Sequence, residues 1–237
     1  GMDALIREGR FRLYVASLAL AILSNFYIGY MTCFFLAVYF FIRYATLTPE
    51  ERNPRMIRHA FWKNLLRMLL FSLLAVMIAS VIILPVYYSL SFGKLEFSEP
   101  KYEAKQLFDW LEMLTKAFFG SYDSVRPTGM PFLYCGTLMP LLLPLYFLTP
   151  HIPLRKKIGS LVTLAFLFVS FNFSILDIIW HGFQRPNWLN ARFAFMFVFF
   201  AVLFTYDAFR YLRETGVRRI GVTAMLSVVL LLVMQAM

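Results

Sequence analysis

The sequence predicts an all-α, polytopic transmembrane helix bundle of about seven membrane helices, with one amphipathic helix outside them near residues 100–119. Three observations carry that expectation. The composition is 60% hydrophobic, 19% aromatic and only 15% charged, with a mean hydropathy of +0.67, far more apolar than a soluble domain of 237 residues needs to fill its core. Apolar runs long enough to cross a hydrocarbon layer of about 30 Å recur along the chain. The basic residues also fall in alternate connections, as they do in a multi-spanning protein.

The first apolar run, 13–42, holds 30 residues and as one straight helix would be about 45 Å long, too long for a bilayer without steep tilt. It is read as a broken pair of short helices. The break is placed at "SNFYIGY", 24–30, where Ser24 and Asn25 favour turns and Gly29 loosens the backbone. Further spans are expected at 65–84, 132–148, 158–176, 193–209 and 220–236.

With a hairpin at 13–42, the segments before Leu13, at 43–67, at 155–157 and at 210–219 share one side and, with Asp207 just before the last of them, hold 16 of the 23 Lys and Arg against 6 acids. The other side carries 7 of each, so the whole formal charge of +10 lies on one face, which the positive-inside bias makes cytosolic. A single crossing at 13–42 would strand Arg7, Arg10 and Arg12 outside. Because topology accounts for the excess, a pI near 9.8 calls for no nucleic-acid partner. The start "GMDALIREGRFR" is no signal peptide, and the chain stops inside an apolar helix, so the reading is of one transmembrane domain, 1–237, that is a fragment of a longer chain.

Two connections are large enough to carry structure, and a third, shorter one is polar. The cytosolic loop 43–64 carries a helix start at Thr48-Pro49-Glu50-Glu51, and its basic residues suit the anionic inner leaflet. In the outer loop 85–131, a helix is expected from Ser98-Glu99-Pro100 to a stop at Gly120, with Leu107, Leu111, Leu114 and Phe118 as its apolar stripe. It suits the headgroup zone or a cap over the bundle. The outer loop 177–192 is the most polar. Cys33 and Cys135 are read as small hydrophobes rather than a disulfide.

Ionisable residues at the ends of spans are candidate functional groups because lipid makes them expensive to place. Asp177 closes one span and Arg192 opens the next, so the two can pair across a shared mouth. The planar forks of Arg185 and Arg192 suit a lipid phosphate, or they simply snorkel to the headgroups. Trp180 and Trp188 flank His181 and Gln184, an aromatic and polar mixture that suits a sugar ring, although interfacial Trp is also the ordinary membrane belt. Asn25, Tyr27, Tyr122 and Asp123 fall on the same outer side. His59, His151 and His181 lie on both sides of the membrane with no metal-ligand spacing, so neither a metal nor any other cofactor is expected.

Three stretches in register, "SNFYIGYM", "GSYDS…PFLYCG" and "HGFQRPNWLNARFAF", together resemble the YfhO family of bacterial multi-spanning membrane proteins over nearly the whole chain. The resemblance implies a GT-C-type glycosyltransferase larger than this chain. It would take a sugar from a polyprenyl-phosphate carrier on the outer face and attach it to an envelope polymer of the lipoteichoic or wall teichoic acid type. The family's motif residues carry over onto Asn25, Tyr27, Gly29, Tyr122, Asp123, Tyr134 and Gly136, and then onto His181, Gln184, Pro186, Asn187, Trp188 and Arg192. Ala191 and Ala194 depart from the pattern, standing where bulkier or more polar residues are expected. The resemblance also implies that the usual catalytic acid lies upstream of Gly1.

The expected partners are therefore membrane lipid, a polyprenyl-phosphate-linked sugar and an envelope polymer. Arg192 with Arg185 would hold the donor phosphate, and His181, Gln184 and Asn187 would meet hydroxyls. Asp123 and Asp177 are the acids available as catalytic base. The competing reading is a transporter or flippase of lipid-linked envelope precursors, built on the same polar mouth and the broken helix pair.

Overall fold

A computed structural model describes residues 1–47, 60–92, 102–120, 129–184 and 190–235. Among them are ten helices and no strand, only one isolated antiparallel bridge. The chain divides into two compact units, Gly1–Lys101 with Ile178–Arg185, and Tyr102–Asp177 with Pro186–Met237.

The first unit opens with α1 (Met2–Glu8), a short helix within the charged start of the chain. Gly9 ends it at φ +72°, a left-handed geometry that costs glycine nothing, with Gly9 N–H donating to Leu5 C=O at 3.1 Å and Arg10 N–H to Ala4 C=O at 3.1 Å. Leu5 and Ile6 bury with Tyr14, Val15, Leu18 and Ile22 of α2 (Arg12–Ser24). Asp3 accepts from Arg43 at 2.8 Å, tying α1 to the last turn of α3 (Phe26–Ala45).

The expected break falls at Asn25. Its backbone is extended, and its Oδ1 accepts from the N–H of Tyr27 at 3.0 Å and of Ile28 at 3.1 Å, filling two of the donors that a helix start leaves open. In a continuous helix Ile22 and Gly29 would stand about 10 Å apart. Here a Cβ on Gly29 would come within 2.7 Å of Ile22 Cα, so the two helices fold back on each other and only glycine fits the crossing.

Helix α4 (Ala60–Ser91) runs 32 residues, through Pro85 and past the expected end at 84, which shortens the outer loop by about two turns. It turns Met68, Ala75 and Ala79 toward the core, and the small pair four apart lets α2 approach closely. Phe71 stacks on Phe11 at 4.4 Å and Ser72 meets the Tyr14 hydroxyl at 2.7 Å. The opposite side, with Leu66, Leu73, Met77, Val81 and Leu84, is bare. Phe26–Ala45 and Phe61–Ser91 are long and apolar enough to cross a membrane.

The second unit departs most from expectation. The amphipathic helix expected at 100–119 is reduced to α5 (Trp110–Thr115), which is capped by Asp109 rather than started at Ser98 and ends before Gly120. Ser98 to Pro100 lie outside the described residues. Of the expected stripe, Leu107 and Leu111 are exposed, and Met113 is the buried residue instead. Residues 102–109 run as a strap because their backbone groups are spent elsewhere, as described below. The expected span 132–148 is helical only over α6 (Met139–Leu148), after Gly136 at φ +113° and with a proline in its first turn. The span at 158–176 begins earlier, as α7 (Leu154–Asn172), and breaks at Phe173 before α8 (Ser174–Trp180). α9 (Ala194–Arg210) and α10 (Val217–Gln235) match their expected ranges closely.

In this unit α6 packs on α9 and α10, and α7 on α9. Leu142, Leu145, Tyr146, Ile152 and Ala208 form the core, with the Tyr146 hydroxyl meeting Ser160 Oγ at 2.8 Å. Pro144 has no N–H for the carbonyl of Pro140 one turn back. Ser227 of α10 donates to that carbonyl at 2.9 Å, so a neighbouring helix supplies what the proline withholds.

Two measurements check this packing. Gly29→Ala lowers the thermal unfolding temperature, costing about 1–3 kcal/mol from overpacking against backbone, while Gly221→Ala, with open space around it, leaves stability equal or higher. Ser227→Ala destabilises by about 1–2 kcal/mol, and that loss shrinks in a Pro144→Ala background, where the helix satisfies its own carbonyl.

Candidate functional site

The first motif and the start of the third, at His181, meet within the first unit. Tyr27, Tyr30 and Phe34 lie three and four residues apart on one face of α3, and residues 178–184 lie along that face. The Tyr30 hydroxyl donates to the Ile179 carbonyl at 2.8 Å. Trp180 is fully buried, edge-on to Phe34 at 4.7 Å and 88° and stacked near Phe35 at 6.5 Å. The His181 ring, 1% exposed, stands 6.1 Å from the Tyr27 ring at 46°.

The chain leaves this cluster by a tight reversal. Gly182 N–H donates to Ile179 C=O and Phe183 N–H to Ile178 C=O, with φ at +69° and +63°. Glycine takes that conformation freely, whereas for Phe183 it is strained. Gln184 is exposed beyond the turn. Asn25 is exposed too, with its Oδ1 engaged in capping α3, so its first role is to set the helix start that presents Tyr27.

In the second unit, Asp177 is 8% exposed in the first turn of α8, where an acid suits the helix dipole, and its N–H donates to Phe173 C=O at 2.9 Å. Arg192 is exposed. It follows Ala191, which is buried at φ +53°, and precedes Phe193, whose ring stacks on Phe171 at 4.7 Å. The left-handed backbone and the burial explain a small residue at 191. Tyr134 contacts Phe119 and Phe132 edge-on. Tyr122, Asp123, Arg185, Pro186, Asn187 and Trp188 lie outside the described residues.

The sequence reading passed over the helix break at 172–174. Leu107 N–H donates to Asn172 C=O at 2.9 Å and to its Oδ1 at 3.1 Å, and Phe108 N–H donates to the same Oδ1 at 2.6 Å. Ser174 N–H donates to Lys105 C=O at 3.1 Å, and Ser174 Oγ accepts from Lys105 N–H and donates to Glu103 C=O. The strap thus supplies the partners that α7 and α8 lose by separating. Trp110, just past it, lies on Phe168 and Phe173. The signal was present as "FNFS", the same turn chemistry that marked "SNF" at Asn25.

Tyr30→Phe removes the hydrogen bond to Ile179 while keeping the ring. Amide exchange over 178–184 should then rise about five- to tenfold, for roughly 1 kcal/mol, with the rest of the chain unchanged. Unchanged exchange would show that the tyrosine does not hold the segment.

No curated protein and no solved structure matches the chain. Among the described residues there is also no group of three or more His, Cys, Asp or Glu able to hold a metal ion. The family described as "Bacterial membrane protein YfhO" matches residues 1–237, the entire sequence, in keeping with the apolar helices and with the three motifs in register. The chain therefore belongs to the YfhO family of bacterial membrane proteins.

Proposed function

We propose that this chain is part of a multi-pass glycosyltransferase of the bacterial cell membrane, which transfers a sugar from a polyprenyl-phosphate carrier to a teichoic-acid-type envelope polymer on the outer face. The observation that carries the reading is the Tyr27 ring beside the buried His181, at the start of a helix fixed by Asn25. A pyranose has one apolar C–H face, and the half-buried Tyr27 ring, supported by the buried His181 ring 6.1 Å away, offers it a matching surface. Family membership supports the membrane setting, and the motif resemblance implies the glycosyltransferase class.

In this reading Arg192, with Arg185, binds the donor phosphate through its planar fork, and Gln184 and Asn187 meet hydroxyls. The acceptor hydroxyl oxygen bonds to the anomeric carbon as the bond from that carbon to the phosphate oxygen breaks. The electron pair leaves with the polyprenyl phosphate, which cationic groups stabilise, and the hydroxyl proton passes to a carboxylate. Asp177 is the first acid for that role and Asp123 the second.

A second reading, transport or flipping of the lipid-linked precursor, is favoured by the helix discontinuity at Phe173, since interrupted membrane helices are the usual framework of carrier sites. One assay separates the two. Full-length protein in proteoliposomes is given a labelled polyprenyl-phosphate sugar and acceptor, and both sugar transfer and donor movement are measured. Transfer is expected to fall about a hundredfold or more in Asp177→Asn and Arg192→Ala, and in His181→Ala by a smaller factor. Unchanged transfer in all three would remove the assignment, and donor movement without transfer would establish the carrier.

A further inference from the structure

The turn between α1 and α2 holds a cation that belongs to α4. A Cβ at Gly9 would come within 3.2 Å of Arg67 Nη1, so the guanidinium lies directly against the glycine, whose φ of +72° already disfavours a side chain there. Two residues on, Phe11 stacks at 4.4 Å on Phe71, one turn further along α4. These two contacts fix where the half-buried Arg67 stands. Lys63, exposed one turn before it, shares its face of the helix.

The acids closest in sequence to this turn are committed to other partners. Glu8 lies 2.9 Å from Arg10, and Asp3 accepts from Arg43 at 2.8 Å. The first turn of α4 contains no acid. Among the described residues no carboxylate pairs with Arg67 or Lys63. A guanidinium drawn partly out of water, with a planar fork that meets no carboxylate, calls for an anion from outside the chain.

The surface beside it indicates which anion. Leu70, Leu74 and Ile78 continue the face of Lys63 and Arg67 and are 54%, 39% and 49% exposed. From Arg67 to Ile78 the helix rises about 16 Å, close to half of a hydrocarbon layer of about 30 Å. A free phosphate would leave this stripe bare. A partner helix would favour small residues, but Ala75 and Ala79 are turned to the core and the stripe is made of large side chains. A held cation pair at the head of an apolar stripe one leaflet deep matches a lipid with an anionic headgroup. We propose that Arg67, with Lys63, binds the phosphate of an anionic phospholipid whose acyl chain lies along Leu70, Leu74 and Ile78. The site rests on the membrane-protein family of the chain and the length of α4, not on the glycosyltransferase reading.

The test uses the full-length protein in an uncharged detergent, with thermal unfolding followed as phosphatidylglycerol, phosphatidylcholine or glycerol phosphate is added at equal concentration. Phosphatidylglycerol is expected to raise the unfolding temperature by several degrees, and high salt should abolish the shift. Arg67→Gln raises the half-saturating lipid concentration at least tenfold, whereas Arg213→Gln/Arg218→Gln, two exposed cations of the second unit, leaves it unchanged. Lys63→Gln, confined to an exposed side chain, gives the same direction by a smaller factor and keeps the test open if Arg67→Gln fails to fold. An equal shift with phosphatidylcholine, an equal shift with glycerol phosphate, or undiminished lipid affinity in the α4 variants would overturn the proposal.

Discussion

A chain this apolar has little water to fall back on, so wherever a helix ladder is interrupted another part of the chain must supply the missing hydrogen bonds. Three interruptions are repaired in three ways. At Asn25 the side chain of the interrupting residue caps the helix that follows. At Pro144 a serine from α10 serves the orphaned carbonyl of Pro140. At 172–174 a whole extended segment comes in, and its backbone pairs with both sides of the gap. An uncompensated break in such surroundings would cost several kcal/mol. The helices are therefore as long as their repairs allow.

The same economy shapes the packing. The α2–α3 reversal depends on the absence of a side chain at Gly29, and the α2–α4 contact on small residues at Ala75 and Ala79. Close backbone approach and interdigitated aromatic rings replace the broad apolar burial of a water-soluble core, because lipid is as apolar as leucine. Helix α4 shows the result most clearly, with one narrow face committed to the protein and the remainder left to its surroundings.

The class of fold, the first break and the ranges of α9 and α10 were legible because each rests on a strong local signal: run length, Asn beside Ser, or basic residues flanking an apolar run. The strap was not legible. Its periodicity at Leu107 and Leu111 is helical, but Lys105, Leu107 and Phe108 donate their N–H groups to residues some 65 positions away, and no local pattern reports that. Tertiary pairing overrode propensity there. Of the candidate site, the proximity of Tyr27 to His181 was anticipated only as residues sharing one side of the membrane. The structural part played by Ala191 emerged from backbone geometry that composition does not encode.

The strap also has a consequence for how the chain is made. Residues 103–108 leave the ribosome well before 172–174, so when the interrupted stretch of α7 and α8 emerges, its pairing partner has already been synthesised. Biogenesis can then proceed in the order of synthesis, with the earlier segment acting as a waiting template and no exposed gap left for a chaperone to shield. A circular permutation that moved the strap behind α8 would reverse that order and leave the gap open during insertion.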